Sequence, residues 1–121
     1  MPRMGTTITQ RFLDLHHDVA GGEDADMQFH ISPGTLDFDL HVDKLYVSLE
    51  NAPGTDKTVT VIVSNGVKTM TVTITGDSQY GSTTTNNFDY NRLTQDLEVA
   101  LSATGGTAAG CATAIVQYHV L

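Results

Sequence analysis

An all-β antiparallel domain is what this sequence predicts, and three observations carry the prediction. Lys57 to Thr75, KTVTVIVSNGVKTMTVTIT, holds two runs of alternating residues joined by Asn65-Gly66, and alternation around that dipeptide is the strongest short-range hairpin signal. From Asp26 onward, strand-like runs and turn clusters recur at the ~8–12-residue spacing of a sandwich or barrel. Eighteen threonines and eleven glycines, with no tryptophan, suit exposed strand faces joined by tight turns.

The hairpin can be given an expected register. A two-residue Asn-Gly loop favours a type I′ turn, in which both central residues take positive φ. With Ser64 opposite Val67, Val61 then faces Met70, Val59 faces Val72 and Lys57 faces Ile74. On the other face Thr60 meets Thr71, Thr58 meets Thr73 and Ile62 meets Thr69. One face is apolar and the other a threonine lattice, as in a sheet with one buried side.

The remaining elements follow in chain order. Residues 1–25 read as an N-terminal arm: Ile8, Phe12, Leu15 and Val19 have helical spacing before Gly21-Gly22, but Ile8 to Leu15 reads equally as one short strand. Residues 26–121 form the sandwich. Met27 to Ile31 is a strand closed by Ser32-Pro33-Gly34. Leu36 to Leu49 is the longest run, and its apolar parity changes between Val42 and Leu45, which predicts a β-bulge near Asp43-Lys44 or two strands in succession. Asn51-Ala52-Pro53-Gly54 turns the chain into the hairpin. A loop from Gly76 to Gly81 precedes a strand from Thr84 to Tyr90, with Phe88 and Tyr90 on one face. Leu97, Val99 and Leu101 alternate in the next strand; TGGTAAG, from Thr104, is a loop; Ala114, Val116, Tyr118 and Val120 mark the last strand. About eight strands in two packed sheets, of jelly-roll or immunoglobulin-like type, are the expected outcome.

Totals exclude several functions. At 121 residues the chain suits one domain with a single core. Cys111 is the only cysteine, so no intrachain disulfide is possible. The opening MPRMGTTITQRF has no apolar stretch of signal-peptide length, and no run approaches the ~20 apolar residues of a membrane span; secretory export and a membrane partner are not expected. Fourteen acidic residues against six basic ones give a formal charge of −8, and Arg3, Arg11, Lys44, Lys57, Lys68 and Arg92 are scattered, so nucleic acid is not an expected partner either.

Candidate chemistry is sparse. Asp37, Asp39, His41 and Asp43 alternate in DFDLHVD and could offer carboxylates and imidazole to a divalent ion. On a regular strand they lie ~6.6–6.8 Å apart, so the expectation is a solvated, metal-free stripe. His16-His17-Asp18 with Glu23, Asp24 and Asp26 lacks the order of a calcium loop. His30 and His119 fall within strand patterns and are expected to be hydrogen-bonded side chains. Gly76-Asp77-Ser78 follows a hairpin and lacks the strand-to-helix setting of a hydrolase nucleophile, and Cys111 among Gly, Ala and Thr has no evident base. Tyr46, Tyr80, Phe88, Tyr90 and Tyr118 could form a sugar-stacking platform, with Phe88, Tyr90 and Tyr118 also on plausible core faces. A non-enzymatic binding or structural module without cofactor fits these residues best.

LYVSLENAPGTDKTVTVIVSNGVKTMTVTITGDSQYGSTTTNNF and QDLEVALSATGGTAAGCATAIVQYHV together resemble small tailed-phage virion proteins of the head decoration, or cement, type. The resemblance lies in Ala52-Pro53-Gly54, the hairpin, the Gly-Ser-Thr loop and Thr104-Gly105-Gly106, from Lys44 onward. It implies a β-sandwich, commonly trimeric, on the outer capsid surface of a virion assembled in the host cytoplasm, with the major capsid protein as partner. A receptor- or glycan-binding module of a tail fibre is the other expectation. The motifs are framework positions, so no functional residue comes with them; the expected partner-binding residues are those of the arm, Arg3, Ile8, Arg11, Phe12, Leu15 and Val19, whose apolar side chains need a covering surface.

Overall fold

The computed structural model describes residues 14–19, 27–103 and 110–121, with side chains over 30–103 and 112–121. Within them the chain is all β: β1 (Asp14–Val19), β2 (Met27–Ile31), β3 (Leu40–Leu49), β4 (Gly54–Ser64), β5 (Thr69–Gly76), β6 (Tyr80–Thr83), β7 (Phe88–Tyr90), β8 (Leu97–Ala103) and β9 (Gly110–Val120). Two antiparallel sheets form the sandwich. One runs β1-β9-β3-β6, with β7 also on β3; the other runs β2-β8-β4-β5. Most connections cross between the sheets, and β4–β5 is a hairpin within one of them. β1, inside the stretch expected to be an arm, forms the edge of the five-stranded sheet against β9, with Asp14 opposite Ile115 and Val19 opposite Gly110. Arg3, Ile8, Arg11 and Phe12 lie outside the described residues, as do Glu23, Asp24 and Asp26.

Period-two patterning is what turns these strands into two layers. β5 alternates exposed Thr69, Thr71, Thr73 and Thr75 with buried Met70, Val72 and Ile74; β8 buries Leu97, Val99, Leu101 and Ala103. From the facing sheet come Leu40, Val42, Leu45, Val47 and Leu49 of β3 and Ala112, Ala114, Val116 and Tyr118 of β9. Phe88 and Tyr90 add two large rings to this core, on one face as the alternation predicts. Each such side chain removes enough apolar surface to be worth ~1.5–3 kcal/mol. The parity change in β3 is a bulge: Val42 pairs with Tyr118 but Lys44 with Gln117, leaving Asp43 as the extra residue, within one continuous strand.

The hairpin register differs from the Asn-Gly expectation by two residues. Val61 stands opposite Val72, not Met70; Val59 pairs with Ile74, Val63 with Met70, Thr60 with Thr73, Ile62 with Thr71 and Thr58 with Thr75. The cause is the Asn65 side chain. Its Oδ1 accepts the backbone N–H of Val67 at 2.8 Å and of Lys68 at 2.7 Å, and the Asn65 backbone N–H donates to Lys68 O at 3.2 Å. That widens the connection to four residues, with positive φ at Gly66 but not at Asn65. A slip of two preserves the face of every side chain, so Val59, Val61, Met70 and Val72 still point inward.

The Gly76–Gly81 and Thr84–Tyr90 boundaries also move. Tyr80–Thr83 is strand β6, and the turn falls at Thr84–Asn87, where Asn86 takes φ 62°, Thr85 N–H bonds Thr83 Oγ1 and Asn87 Nδ2 donates to Thr84 O. Gly81 sits in β6 because a Cβ there would lie 3.0 Å from Val72 Cγ1 across the sandwich. The long run before β3 is irregular up to Asp39, so β3 begins at Leu40 rather than Leu36.

Candidate functional site

Outer-face residues of the five-stranded sheet form rows across β9, β3 and its β6 or β7 neighbour. Thr113, Ser48 and Tyr80 make one row, and Ile115, Tyr46 and Ser82 the next. Gln117 and Lys44 follow, then His119, His41 and Asp89. Polar side chains gather at the last row. His41 Nδ1 lies 2.6 Å from Asp89 Oδ1 and its Nε2 3.1 Å from Asn87 Oδ1. The Asn87 amide is oriented by its bond to Thr84 O, so both ring nitrogens of His41 face acceptor oxygens. His119 Nδ1 lies 2.9 Å from Asp43 Oδ2, and the two imidazoles stand 5.1 Å apart. The bulge makes this possible by turning Asp43 toward β9. Lys44 Nζ, next along the chain, sits 5.2 Å from the centre of the Tyr46 ring, within range of a cation–π attraction.

The acidic stripe expected of DFDLHVD thus divides. His41 and Asp43 join the cluster. Asp39 instead accepts the Arg92 N–H at 2.9 Å and its guanidinium at 3.3 Å, fastening the Asn91–Gln95 turn, while Asp37 is exposed ahead of β3. Asp39, His41 and Asp43 are half-buried rather than fully solvated. Among the described residues no three His, Cys, Asp or Glu side chains are placed to hold a metal ion together.

Other candidates are dispersed. His16, His17 and Asp18 are in β1, opposite Thr113, Ala112 and Cys111 of β9. His30 is exposed, opposite Glu98. His119 is hydrogen-bonded, as expected. Gly76-Asp77-Ser78 forms the turn leaving β5, closed by Ser78 N–H to Thr75 O. Of the aromatic candidates, Phe88, Tyr90 and Tyr118 are core, with Tyr118 stacked on Phe38 at 6.3 Å, whereas Tyr46 and Tyr80 are exposed on one face. Sequence reasoning missed Asp89, Asn87 and the Asp43–His119 pair. Alternation did place Asp89 and His119 on outer faces; what it lacks is that β3 lies between β7 and β9.

Among the described residues one internal group has a shifted titration. Tyr90 is fully buried and its hydroxyl has no hydrogen-bond partner among them; burial first, and the Asp96 carboxylate second, push the phenol above its ordinary value of 10.0. The outer face of the four-stranded sheet is chemically plainer: it carries Thr58, Thr60, Thr71, Thr73 and Thr75 and a dimple lined by Ile62, Ala100, Leu101 and Ser102, and the Thr60 and Thr73 hydroxyls meet at 3.4 Å. No helix among the described residues is long and apolar enough to cross a membrane. No family model, curated protein or solved structure matches the chain.

Proposed function

We propose that this chain is a non-enzymatic decoration protein of a phage capsid, binding the assembled shell as a homotrimer and stabilising it against the pressure of the packaged genome. The observation that carries the reading is the framework likeness of Lys44 onward to small virion proteins. Two features support it. The two-sheet core is closed by apolar side chains, and the polar cluster on its outer face pairs carboxylates with imidazoles and presents no nucleophile beside a base. Charge is also divided unevenly along the chain. Residues 1–13 hold Arg3 and Arg11 and no acid, while the remainder carries four Lys/Arg against fourteen Asp/Glu, a formal −10.

The partner is the major capsid protein, and Arg3, Ile8, Arg11 and Phe12 are the contact; Leu15 and Val19, expected to share it, belong to β1, paired with β9. Binding to the assembled state alone stabilises each site by RT ln(1 + [L]/Kd), about 2.7 kcal/mol at a hundredfold excess over Kd. Mixing the purified protein with undecorated expanded capsids and sedimenting them tests this: co-sedimentation and a raised shell-disruption temperature are expected. Failure to co-sediment, together with binding to host cells, would move the assignment to a receptor-binding module of a tail fibre, the reading that exposed Tyr46 and Tyr80 favour.

A further inference from the structure

We propose that the outer face of the five-stranded sheet, centred on Tyr80 and Tyr46, binds a neutral, extended oligosaccharide. Tyr80 pairs with Ser48 and Tyr46 with Ser82, which makes the two phenols diagonal neighbours on one face, roughly 7–8 Å apart or a little less between their Cβ atoms. They are 71% and 38% exposed, while Tyr90 and Tyr118 are 0% and 4%. Among the described residues, aromatic exposure is therefore concentrated here. A pyranose presents an apolar C–H face that stacks on such rings and a rim of hydroxyls that needs hydrogen-bonding neighbours. Ser48 and Ser82 supply those neighbours from the same two rows, and Gln117 from the row beyond Tyr46.

Charge narrows the ligand class. The chain is strongly acidic, and Asp43 and Asp89 lie at the end of this face, where they would repel sulfated, phosphorylated or carboxylated glycans. Lys44, a nearby cation, has its Nζ 5.2 Å from the centre of the Tyr46 ring, so a sugar stacking on that face must displace it and Tyr80 is the freer platform. Length is indicated too: the two phenols occupy successive outward positions, ~6.8 Å apart along the strand direction, so one sugar covers one ring and a second reaches the other. The opposite face has comparable hydroxyl density from its threonines but, among its described side chains, no exposed aromatic ring, and it provides the internal control. This site is independent of the decoration reading, since capsid co-sedimentation neither requires nor excludes it.

The test is a titration of the full-length ¹⁵N-labelled protein with cellohexaose, maltohexaose and chitohexaose, each to about 10 mM, tenfold above the ~1 mM Kd expected of a two-ring platform. At least one is expected to shift amides in β3, β6 and β9 around Tyr46, Tyr80 and Ile115. Y80A should weaken that binding roughly two- to tenfold, with Y46A/Y80A abolishing it and T71A/T73A leaving it unchanged. Tyr80 is too exposed for its removal to unfold the sandwich, so a native amide spectrum for Y80A keeps the comparison valid. Absence of shifts with all three sugars, shifts on the threonine face, or binding that survives in Y46A/Y80A would overturn the proposal.

Discussion

Asn65 performs with one side chain what a tighter hairpin performs with two backbone dihedrals. It closes the β4–β5 connection through Val67 and Lys68, and its Nδ2 donates at 2.9 Å to Asp89 O of β7. Since Asp89 also holds His41, one residue ties the hairpin of one sheet to the central strand of the other. Asn65→Ala is expected to lower stability by about 2–3 kcal/mol, the cost of removing bonds at a buried position; Asn65→Asp keeps the Oδ1 acceptor for the turn but sets a buried carboxylate oxygen against Asp89 O, so it too should be clearly destabilised. Urea denaturation of the two variants checks both. Tyr90 predicts the opposite sign. A hydroxyl buried without a partner costs ~1–3 kcal/mol, so Tyr90→Phe should be more stable at neutral pH by about 1 kcal/mol. Because the folded-state phenol titrates above 10.0, its contribution is complete below that pH and declines as pH rises through the folded value. Wild type should therefore lose stability above about pH 10 more steeply than Tyr90→Phe, measured by denaturation across that range.

At the scale of elements, faces were legible and partners were not. Alternation in β5, β8 and β9 gives the buried set directly, and the Val42–Leu45 parity change locates the bulge. Both are properties of one strand. Register depends on how a turn satisfies its own backbone, and Asn65 used its side chain where Asn-Gly statistics anticipate its φ. Strand β6 escaped notice because Tyr80-Gly81-Ser82-Thr83 reads as loop chemistry; its glycine reflects the nearness of Val72 instead. Gly81→Ala should cost about 1–3 kcal/mol by overpacking the Val72–Ile74 surface, read as a drop in denaturation midpoint with an unchanged slope. The His41–Asp43–His119–Asp89 cluster was illegible for a related reason, since it combines β3, β7 and β9 across the sheet. The arm yields an element-scale prediction. Residues 1–13 precede β1, so deleting them should leave a folded sandwich that no longer binds expanded capsids, whereas deleting residues 1–20 strips β1 from β9 as well and should lower stability. Circular dichroism with capsid sedimentation separates the two.

For the whole molecule, acidity and the absence of disulfide chemistry were plain from composition, and the two-layer architecture followed from alternation. The order of strands did not, because it records which distant segments meet. The proposed homotrimer has a simple expectation: light scattering should report about three times the 13.0 kDa chain mass. A monomeric mass at micromolar concentration, unchanged by the 1–13 deletion, would remove trimerisation from the proposal and leave capsid binding to be judged alone.

The position of β9 has a consequence for how the chain reaches its native state. β9 lies between β1 and β3, and both neighbours are synthesised long before it. During translation β1 and β3 must therefore wait, without the strand that joins them, until β9 emerges, while β4 and β5 can close as soon as both are made. Contacts between sequence-distant segments of this kind slow folding, and waiting strands with open edges invite wrong partners. Folding should accordingly be late and cooperative, with the hairpin as the early local structure and the five-stranded sheet completed in one closing step. Stopped-flow refolding of a chain truncated before Gly110 should show the hairpin's signal without the native burial of Tyr90.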